Sequence, residues 1–208
     1  HFLYLLSALL LAWAAKRTSG SNMIFFVVFG VLALSPLPWM FEGGSRVTRE
    51  PLYQILTLLV LALATMLLLE GDNRKSIGMA LGVIASCFWL TREEGVWLLP
   101  ALGVLALPLV LRMAKSFVAG EMTQLASHVR ILAVPLVGFL AVVLLVNSMN
   151  WAKYGVFRNN DLRAGPFAEA YGALARIQAN HWQRYVVFPT DARQLAYSVS
   201  PAARELAP

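Results

Sequence analysis

The chain has 208 residues, of which 59% are hydrophobic and 13% are charged, and its formal net charge is +6 at pH 7. A soluble domain carries about 25% charged residues, so the composition excludes an ordinary soluble domain and indicates an integral membrane protein. The Lys and Arg residues are dispersed and several flank apolar segments, which predicts orientation in a membrane and no nucleic-acid partner. Because His1 already stands on an apolar stretch, we expect the chain to be a fragment of a longer protein.

Long apolar runs predict an all-α fold, a polytopic transmembrane bundle of about six segments. In chain order the runs cover residues 2–15, 23–41, 52–69, 77–90, 96–111 and 131–149. Residues 112–130 are more polar and predict an interfacial helix or connector. Its apolar residues recur at helical spacing: Met113, Phe117, Met122, Leu125 and Val129. Residues 150–208 are soluble in character and predict a small, mainly helical tail.

The tail carries two recognisable helix starts. Ser200 followed by Pro201 is typical of an N-cap and the first position of a helix. Thr190 and Asp191 can cap another short helix.

Alternate loops differ in their content of basic residues, which predicts the orientation of the bundle. One set of loops holds seven Lys or Arg residues: Lys16, Arg17, Arg74, Lys75, Arg112, Lys115 and Arg130. The opposite set holds three before the tail: Arg46, Arg49 and Arg92. The positive-inside rule places the richer set in the cytoplasm. We therefore expect a multi-pass protein of the inner (cytoplasmic) membrane with an extracytoplasmic C-terminal tail.

One charged segment, Thr91–Gly95, interrupts an otherwise apolar stretch between Ile77 and Leu111. Ionised groups cost ~2.5–3.5 kcal/mol each at the centre of a membrane helix, so they mark either a function or a membrane surface. On the predicted topology this segment shares the outer face with Arg46, Arg49 and Glu50. Arginines there can clamp a phosphate, and a carboxylate partly removed from water can act as a base or bind a metal.

A structural alternative remains open for both charged clusters. They can pair with each other or with lipid head groups and so join helix ends without any chemistry. The residues offer no other catalytic pattern. Cys87 is the single cysteine and excludes an internal disulfide, and the three histidines have no metal-ligand spacing. Gly78, Gly82 and Ala85 predict a face of small residues for close helix packing.

Residues 45–111 resemble the middle of multi-pass membrane glycosyltransferases of the C type (GT-C). In that superfamily an outer loop ends in a Glu before Leu-Tyr and leads into a helix, a cytoplasmic turn and a Gly-rich helix. The Gly-rich helix runs into Thr-Arg-(Pro or Glu)-Glu-Gly. Glu50 with Leu52 and Tyr53, and the segment Thr91–Gly95, stand at those positions. The tail resembles those of uncharacterised bacterial membrane proteins, a similarity that assigns no chemistry.

The resemblance implies transfer of a sugar from a polyprenyl-phosphate donor to an acceptor at the outer face of the membrane. Its partners would be membrane lipid and the polyprenyl-phosphate-linked sugar. No cofactor is identifiable, although the resemblance admits a divalent metal. It implies a catalytic acidic residue in an outer loop that we expect upstream of His1, so no catalytic residue is assigned here. The candidate donor-phosphate or supporting residues are Arg49, Glu50, Arg92, Glu93 and Glu94.

A non-enzymatic alternative also fits the sequence. The chain would then be a membrane scaffold in the assembly of cell-envelope polysaccharide, with the tail as its binding surface. A transporter is disfavoured because the sequence has no internal repeat.

Overall fold

The structure is a computed structural model that describes residues 2–36, 50–70, 75–91, 93–159, 165–178, 184, 186 and 188–205. These residues form helices and turns without a strand, so the predicted all-α class is confirmed. The chain divides into two compact units, His1–Phe157 and Arg158–Pro208. The α-helices of the first unit are α1 (Phe2–Ser19), α2 (Asn22–Ala33), α3 (Glu50–Glu70), α4 (Lys75–Thr91), α5 (Leu99–Val118) and α6 (Met122–Tyr154). A 3₁₀ helix, Glu93–Leu98, joins α4 to α5.

Three helical stretches of the described chain are long and apolar enough to cross a membrane: Glu50–Leu69, Gly95–Val118 and Met122–Tyr154. Only 28%, 11% and 11% of their most apolar windows are buried inside the protein, so most of their apolar surface needs lipid or another protein to cover it. The predicted number of six segments is not confirmed. Among the described residues α2 has 12 residues and α4 has 17, fewer than the ~20 that a straight helix needs to span a bilayer.

The predicted connector at residues 112–130 does not form one helix. It is shared between the end of α5 and the start of α6, which are separated at Gly120. Gly120 adopts a φ of 72°, a left-handed conformation that glycine takes without steric cost. The Glu121 N–H donates to the Ser116 carbonyl and the Gly120 N–H to the Phe117 carbonyl, which is the Schellman arrangement that ends many helices. The apolar stripe predicted across this stretch is therefore divided between two helices.

The core of the first unit is built around α3. Leu56, Val60, Ala64 and Leu67 are buried along one face, at the three- and four-residue spacing of a helical stripe. They pack with three residues of α4, Ile77, Leu81 and Phe88, and with Leu98, Leu109 and Ile131.

Small residues let α1 approach α3 closely. Ser7, Ala8 and Ala12 on α1 are fully buried, and side chains of this size allow the close backbone approach favoured in membrane bundles. The hydroxyl of Tyr4 donates to the Leu32 carbonyl at 3.0 Å and so joins α1 to α2.

Glycines bring α4 and α6 together, as the small-residue face of α4 predicts. A Cβ atom on Gly82 would overlap the Pro135 carbonyl oxygen and come within 2.9 Å of the Gly138 Cα. A Cβ on Gly78 would lie 3.0 Å from Val134 Cγ1. Because Gly78 meets Val134 and Gly82 meets Gly138, the two helices run parallel. The prediction of close packing at Gly78 and Gly82 is confirmed.

The second unit contains three short helices: α7 (Pro166–Ala175), α8 (Thr190–Val199) and α9 (Pro201–Arg204). The Ser200 Oγ accepts a hydrogen bond from the Ala203 N–H at 3.3 Å, so the predicted N-cap before Pro201 is confirmed. A helix does begin at Thr190, but the prediction that Thr190 and Asp191 cap it is wrong, because the N-cap residue is Pro189 and no side chain among the described residues caps the helix. The last helix of the first unit continues to Tyr154 and ends at Gly155, which has a φ of 71°. The two compact units divide after Phe157, and the predicted boundary at residue 150 between a membrane region and a soluble tail stays a prediction.

Candidate functional site

Aromatic stacking places the start of α3 beside the end of α4. The rings of Tyr53 and Phe88 lie 4.5 Å apart, centroid to centroid, at an interplanar angle of 26°. Tyr53 is about one turn after Glu50, and Phe88 is about one turn before Thr91. Glu50 and the charged segment therefore belong to the same end of this helix pair, as their loop order predicts. We call it the Thr91 end: the first turn of α3, the last turn of α4 and the 3₁₀ helix.

The predicted site residues are distributed unevenly over this end. Glu50 is the first residue of α3, a position where the helix dipole favours a carboxylate, and its side chain is half-buried and has an interaction partner. The Thr91 hydroxyl donates to the Cys87 carbonyl at 2.6 Å and so completes the last turn of α4. Other parts of the predicted site lie outside the described residues: all of Arg46, Arg49 and Arg92, and the side chains of Glu93 and Glu94. The pairing of the two charged clusters stays a prediction.

Gly95 has a steric role in the charged segment. Gly95 is buried, and a Cβ atom there would lie 3.2 Å from Trp89 Cε3 and 3.4 Å from Phe88 Cε1. The 3₁₀ helix thus folds back against the last turns of α4, and the missing side chain permits this close approach. The final glycine of the Thr-Arg-Glu-Glu-Gly sequence is explained by packing alone.

An apolar cavity of about 490 Å³ opens beside Gly95. Its walls come from α4, the 3₁₀ helix, α5 and α6, with Phe88, Trp89, Leu99, Leu102 and Phe139 among the lining residues. We call it the Gly95 cavity. Its lining residues are all apolar, so it suits a hydrocarbon chain. Gly95, the last residue of the charged segment Thr91–Gly95, is itself one of the lining residues.

The sequence interpretation missed a buried polar group at the Thr91 end. Gln54 follows Tyr53 on α3, and its Oε1 atom is buried with no hydrogen-bond partner among the described residues. Buried side-chain oxygens are nearly always paired, so this atom is ready to accept a hydrogen bond from a ligand hydroxyl or from water. The sequence signal that could have identified Gln54 was its position as a single amide near the start of the apolar run 52–69. Asn147 on α6 presents a similar buried, unpaired Oδ1.

A second cavity lies at the opposite end of α3, between the ends of α1 and α3, the second half of α5 and the start of α6. Its volume is about 530 Å³, and its lining includes Thr18, Leu69, Arg112 and His128. We call it the Arg112 cavity. Thr18 adjoins Lys16 and Arg17, and Leu69 adjoins the turn that contains Arg74. The basic residues near the ends of α1, α3 and α5 assign all three ends to the predicted cytoplasmic side. Residues near these three ends line one cavity.

The described residues contain no group of three or more His, Cys, Asp or Glu side chains that could hold a metal ion. The divalent metal implied by the resemblance stays a prediction. Comparisons of the chain with protein-family models, with curated proteins and with solved structures find no match.

Proposed function

We propose that the chain is part of a multi-pass inner-membrane glycosyltransferase that uses a polyprenyl-phosphate-linked sugar at the outer face. The proposal includes six membrane segments, in which α1, α2 and α4 lie in the membrane with the three longer helices. The observation that carries the proposal is the position of the Gly95 cavity. It has apolar walls on four helical elements, and its lining includes Gly95, the residue that follows Glu94 in the chain. The donor likewise combines a hydrocarbon chain with a charged phosphate.

The two parts of the donor would use different parts of the Thr91 end. The isoprenoid chain lies against Leu99, Leu102 and Phe139. Arg92 and Arg49 hold the phosphate, since the guanidinium group binds phosphate through two parallel hydrogen bonds. Glu50, Glu93 and Glu94 orient the arginines.

The transfer itself also needs a general base, and no residue is assigned to that role here. The acceptor oxygen attacks the anomeric carbon of the sugar and loses its proton to an acidic residue of an outer loop. The bond between that carbon and the phosphate oxygen breaks, and the phosphate leaves with the bonding electrons. The arginines stabilise the charge that grows on the leaving phosphate.

A photoreactive donor analogue tests the binding part of the proposal. The probe is a polyprenyl phosphate with a diazirine on its isoprenoid chain, and the measured quantity is cross-linking to the purified full chain in lipid nanodiscs. Leu102→Trp fills the Gly95 cavity, whereas Leu107→Trp changes an exposed residue of the same helix that is not among the lining residues. We expect L102W to reduce cross-linking about tenfold, the effect of about 1.4 kcal/mol in binding, and L107W to leave it unchanged.

The charged residues require a second arm of the same experiment. Unlabelled polyprenyl phosphate should compete less well with the photoreactive probe for Arg92→Gln than for the wild-type chain. Arg130→Gln is the control, because it removes the same charge from the predicted cytoplasmic set, and it should leave this competition unchanged. Sugar transfer by the longer protein should fall in R92Q and in Glu50→Gln. Wild-type transfer in both variants would refute the assigned roles.

The division of the chain into two units favours a second candidate function. Arg158–Pro208 forms a compact unit of its own, as expected if the tail is the binding surface of a scaffold in envelope polysaccharide assembly. Affinity purification with the full chain and with a chain that ends at Phe157 distinguishes the two functions. A scaffold loses its partner with the tail, while the enzyme retains donor cross-linking.

A further inference from the structure

The Arg112 cavity is the second large cavity described, and the proposed transferase reaction does not use it. Its polar groups come from four helices: Thr18 on α1, Thr65 on α3, Arg112 on α5, and Ser127 and His128 on α6. It lies at the end of α3 opposite Glu50. Any ligand bound there is therefore distinct from the donor proposed at the Thr91 end.

Hydrogen-bond donors in this cavity suit an anion. Arg112 supplies a guanidinium group, which has several N–H donors and no acceptor. The Nδ1 atom of His128 is buried and has no hydrogen-bond partner among the described residues. An imidazole nitrogen in that position can donate to a phosphate oxygen. Basic pockets between membrane helices on the cytoplasmic side are typical sites for lipid phosphate groups.

Hydrogen-bond acceptors in the same cavity suit hydroxyl groups. The Thr18 hydroxyl already donates to the Ala14 carbonyl at 2.8 Å, and the Thr65 hydroxyl donates to the Leu61 carbonyl at 2.8 Å. Because each hydroxyl has one proton, both oxygens can only accept a further hydrogen bond.

Prolines leave further acceptors in the cavity wall. Pro108 lies inside α5 and Pro135 lies inside α6. A proline inside a helix has no N–H to offer the carbonyl four residues earlier. The carbonyls deprived in this way belong to Val104 and Ile131, and both residues line the cavity.

The remaining walls are apolar, which indicates an amphiphilic ligand. Leu68, Leu69, Leu105 and Leu109 line the cavity beside the polar groups. Val104, another lining residue on α5, is 74% exposed. A ligand with a polar head and acyl chains satisfies both kinds of wall, whereas a free anion leaves the apolar walls without contacts.

We propose that the Arg112 cavity binds an anionic phospholipid whose head group carries hydroxyl groups, the chemistry of phosphatidylglycerol. Arg112 and His128 contact the phosphate. The threonine oxygens and the carbonyls freed by the prolines accept hydrogen bonds from the glycerol hydroxyls. The acyl chains follow the leucines toward the bilayer.

Native mass spectrometry of the purified full chain in detergent tests this site with three phospholipids of equal chain length. The probes are palmitoyl-oleoyl phosphatidylglycerol, phosphatidylserine and phosphatidylcholine, and the measured quantity is the dissociation constant of the first bound lipid. We expect phosphatidylglycerol to bind most tightly. Arg112→Gln should weaken it about tenfold, because a hydrogen bond to a charged group contributes at least the 1.4 kcal/mol that corresponds to this factor.

A matched variant separates the site from general surface charge. Lys115→Gln removes the same charge from an exposed position one turn further along α5, outside the cavity lining, and should change the constant by less than about twofold. Thr65→Val retains the shape of the side chain and removes the acceptor. It should abolish the preference for phosphatidylglycerol over phosphatidylserine, and it serves as a second test if R112Q does not fold.

Three results would overturn the proposal. They are equal binding of the three lipids by the wild-type chain, equal losses in R112Q and K115Q, and displacement of the lipid by millimolar inorganic phosphate. Cross-linking of the polyprenyl-phosphate probe at the Gly95 cavity should be the same in R112Q as in the wild-type chain. Failure of this proposal is thereby distinguishable from failure of the proposed function.

Discussion

The two ends of the bundle differ in the side chains that line their cavities. At the Thr91 end, aromatic rings and glycines are in close contact, and the cavity there is apolar. At the other end a cavity is lined by Arg112, His128 and two threonines among apolar residues. Each end retains one buried polar atom without a hydrogen-bond partner among the described residues, Gln54 Oε1 and His128 Nδ1. The ends differ in their packing, since apolar contacts dominate the Thr91 end whereas several polar side chains line the Arg112 cavity. Loss of packing at the Thr91 end should therefore lower the free energy of unfolding, whereas removal of the unpaired His128 nitrogen should raise it.

The largest expected effect is at Phe88, which is 3% exposed and stacks on Tyr53. Phe88→Ala should lower the free energy of unfolding by about 3–5 kcal/mol, because a buried aromatic ring is replaced by a cavity. Phe26→Ala is the control, since Phe26 is 69% exposed. The measurement is reversible unfolding in mixed micelles. Equal losses in the two variants would show that the stack does not hold the Thr91 end.

A smaller loss is expected at Gly82, where a Cβ atom would meet the backbone of α6. Gly82→Ala should lower the free energy of unfolding by about 1–3 kcal/mol, the usual range for overpacking. Gly103 in α5 is the control, because a Cβ atom there would meet nothing within 4 Å. Gly103→Ala should raise the free energy of unfolding by roughly 0.5–1 kcal/mol, since alanine favours the helix. The same unfolding measurement applies. A higher free energy of unfolding in both variants would rule out the close contact between α4 and α6.

The smallest effect, and one of opposite sign, is expected at His128. His128→Leu should raise the free energy of unfolding by about 1 kcal/mol in micelles free of anionic phospholipid, because an unpaired buried nitrogen is removed. Gln124→Leu, at an exposed position of the same helix, should change little. A loss of several kcal/mol in H128L would identify His128 as an ordinary core residue and remove the contrast between the ends.

Local patterns in the sequence were sufficient for the helices and for some of their contacts. The apolar runs predicted α3, α5 and α6, and the small residues Gly78 and Gly82 predicted close packing before a partner helix was known. The turn at Gly120 was missed because an apolar stripe continues on both sides of it, and the glycine that interrupts the stripe carries no periodic signal. Local sequence therefore predicts helices more readily than it predicts where one long helix ends and the next begins.

The sites were harder to predict because they depend on which helices meet. Glu50 and Thr91–Gly95 could be assigned to one end by counting alternate loops. In contrast, Gln54 and His128 are single polar residues whose lack of a partner follows only from the packing of neighbouring helices. The Arg112 cavity joins residues from Thr18 to Ile131, a separation that no local motif spans.

The proposed donor site and the proposed lipid site require the Thr91 end and the Arg112 end to face opposite sides of the membrane. Cysteine accessibility measures this directly in a Cys87→Ser background, with single cysteines at Ser45 and Ser76 and a membrane-impermeant maleimide. We expect labelling at position 45 in intact cells and at position 76 only after the membrane is permeabilised. Labelling of position 76 in intact cells, or of both positions from the same side, would contradict this orientation.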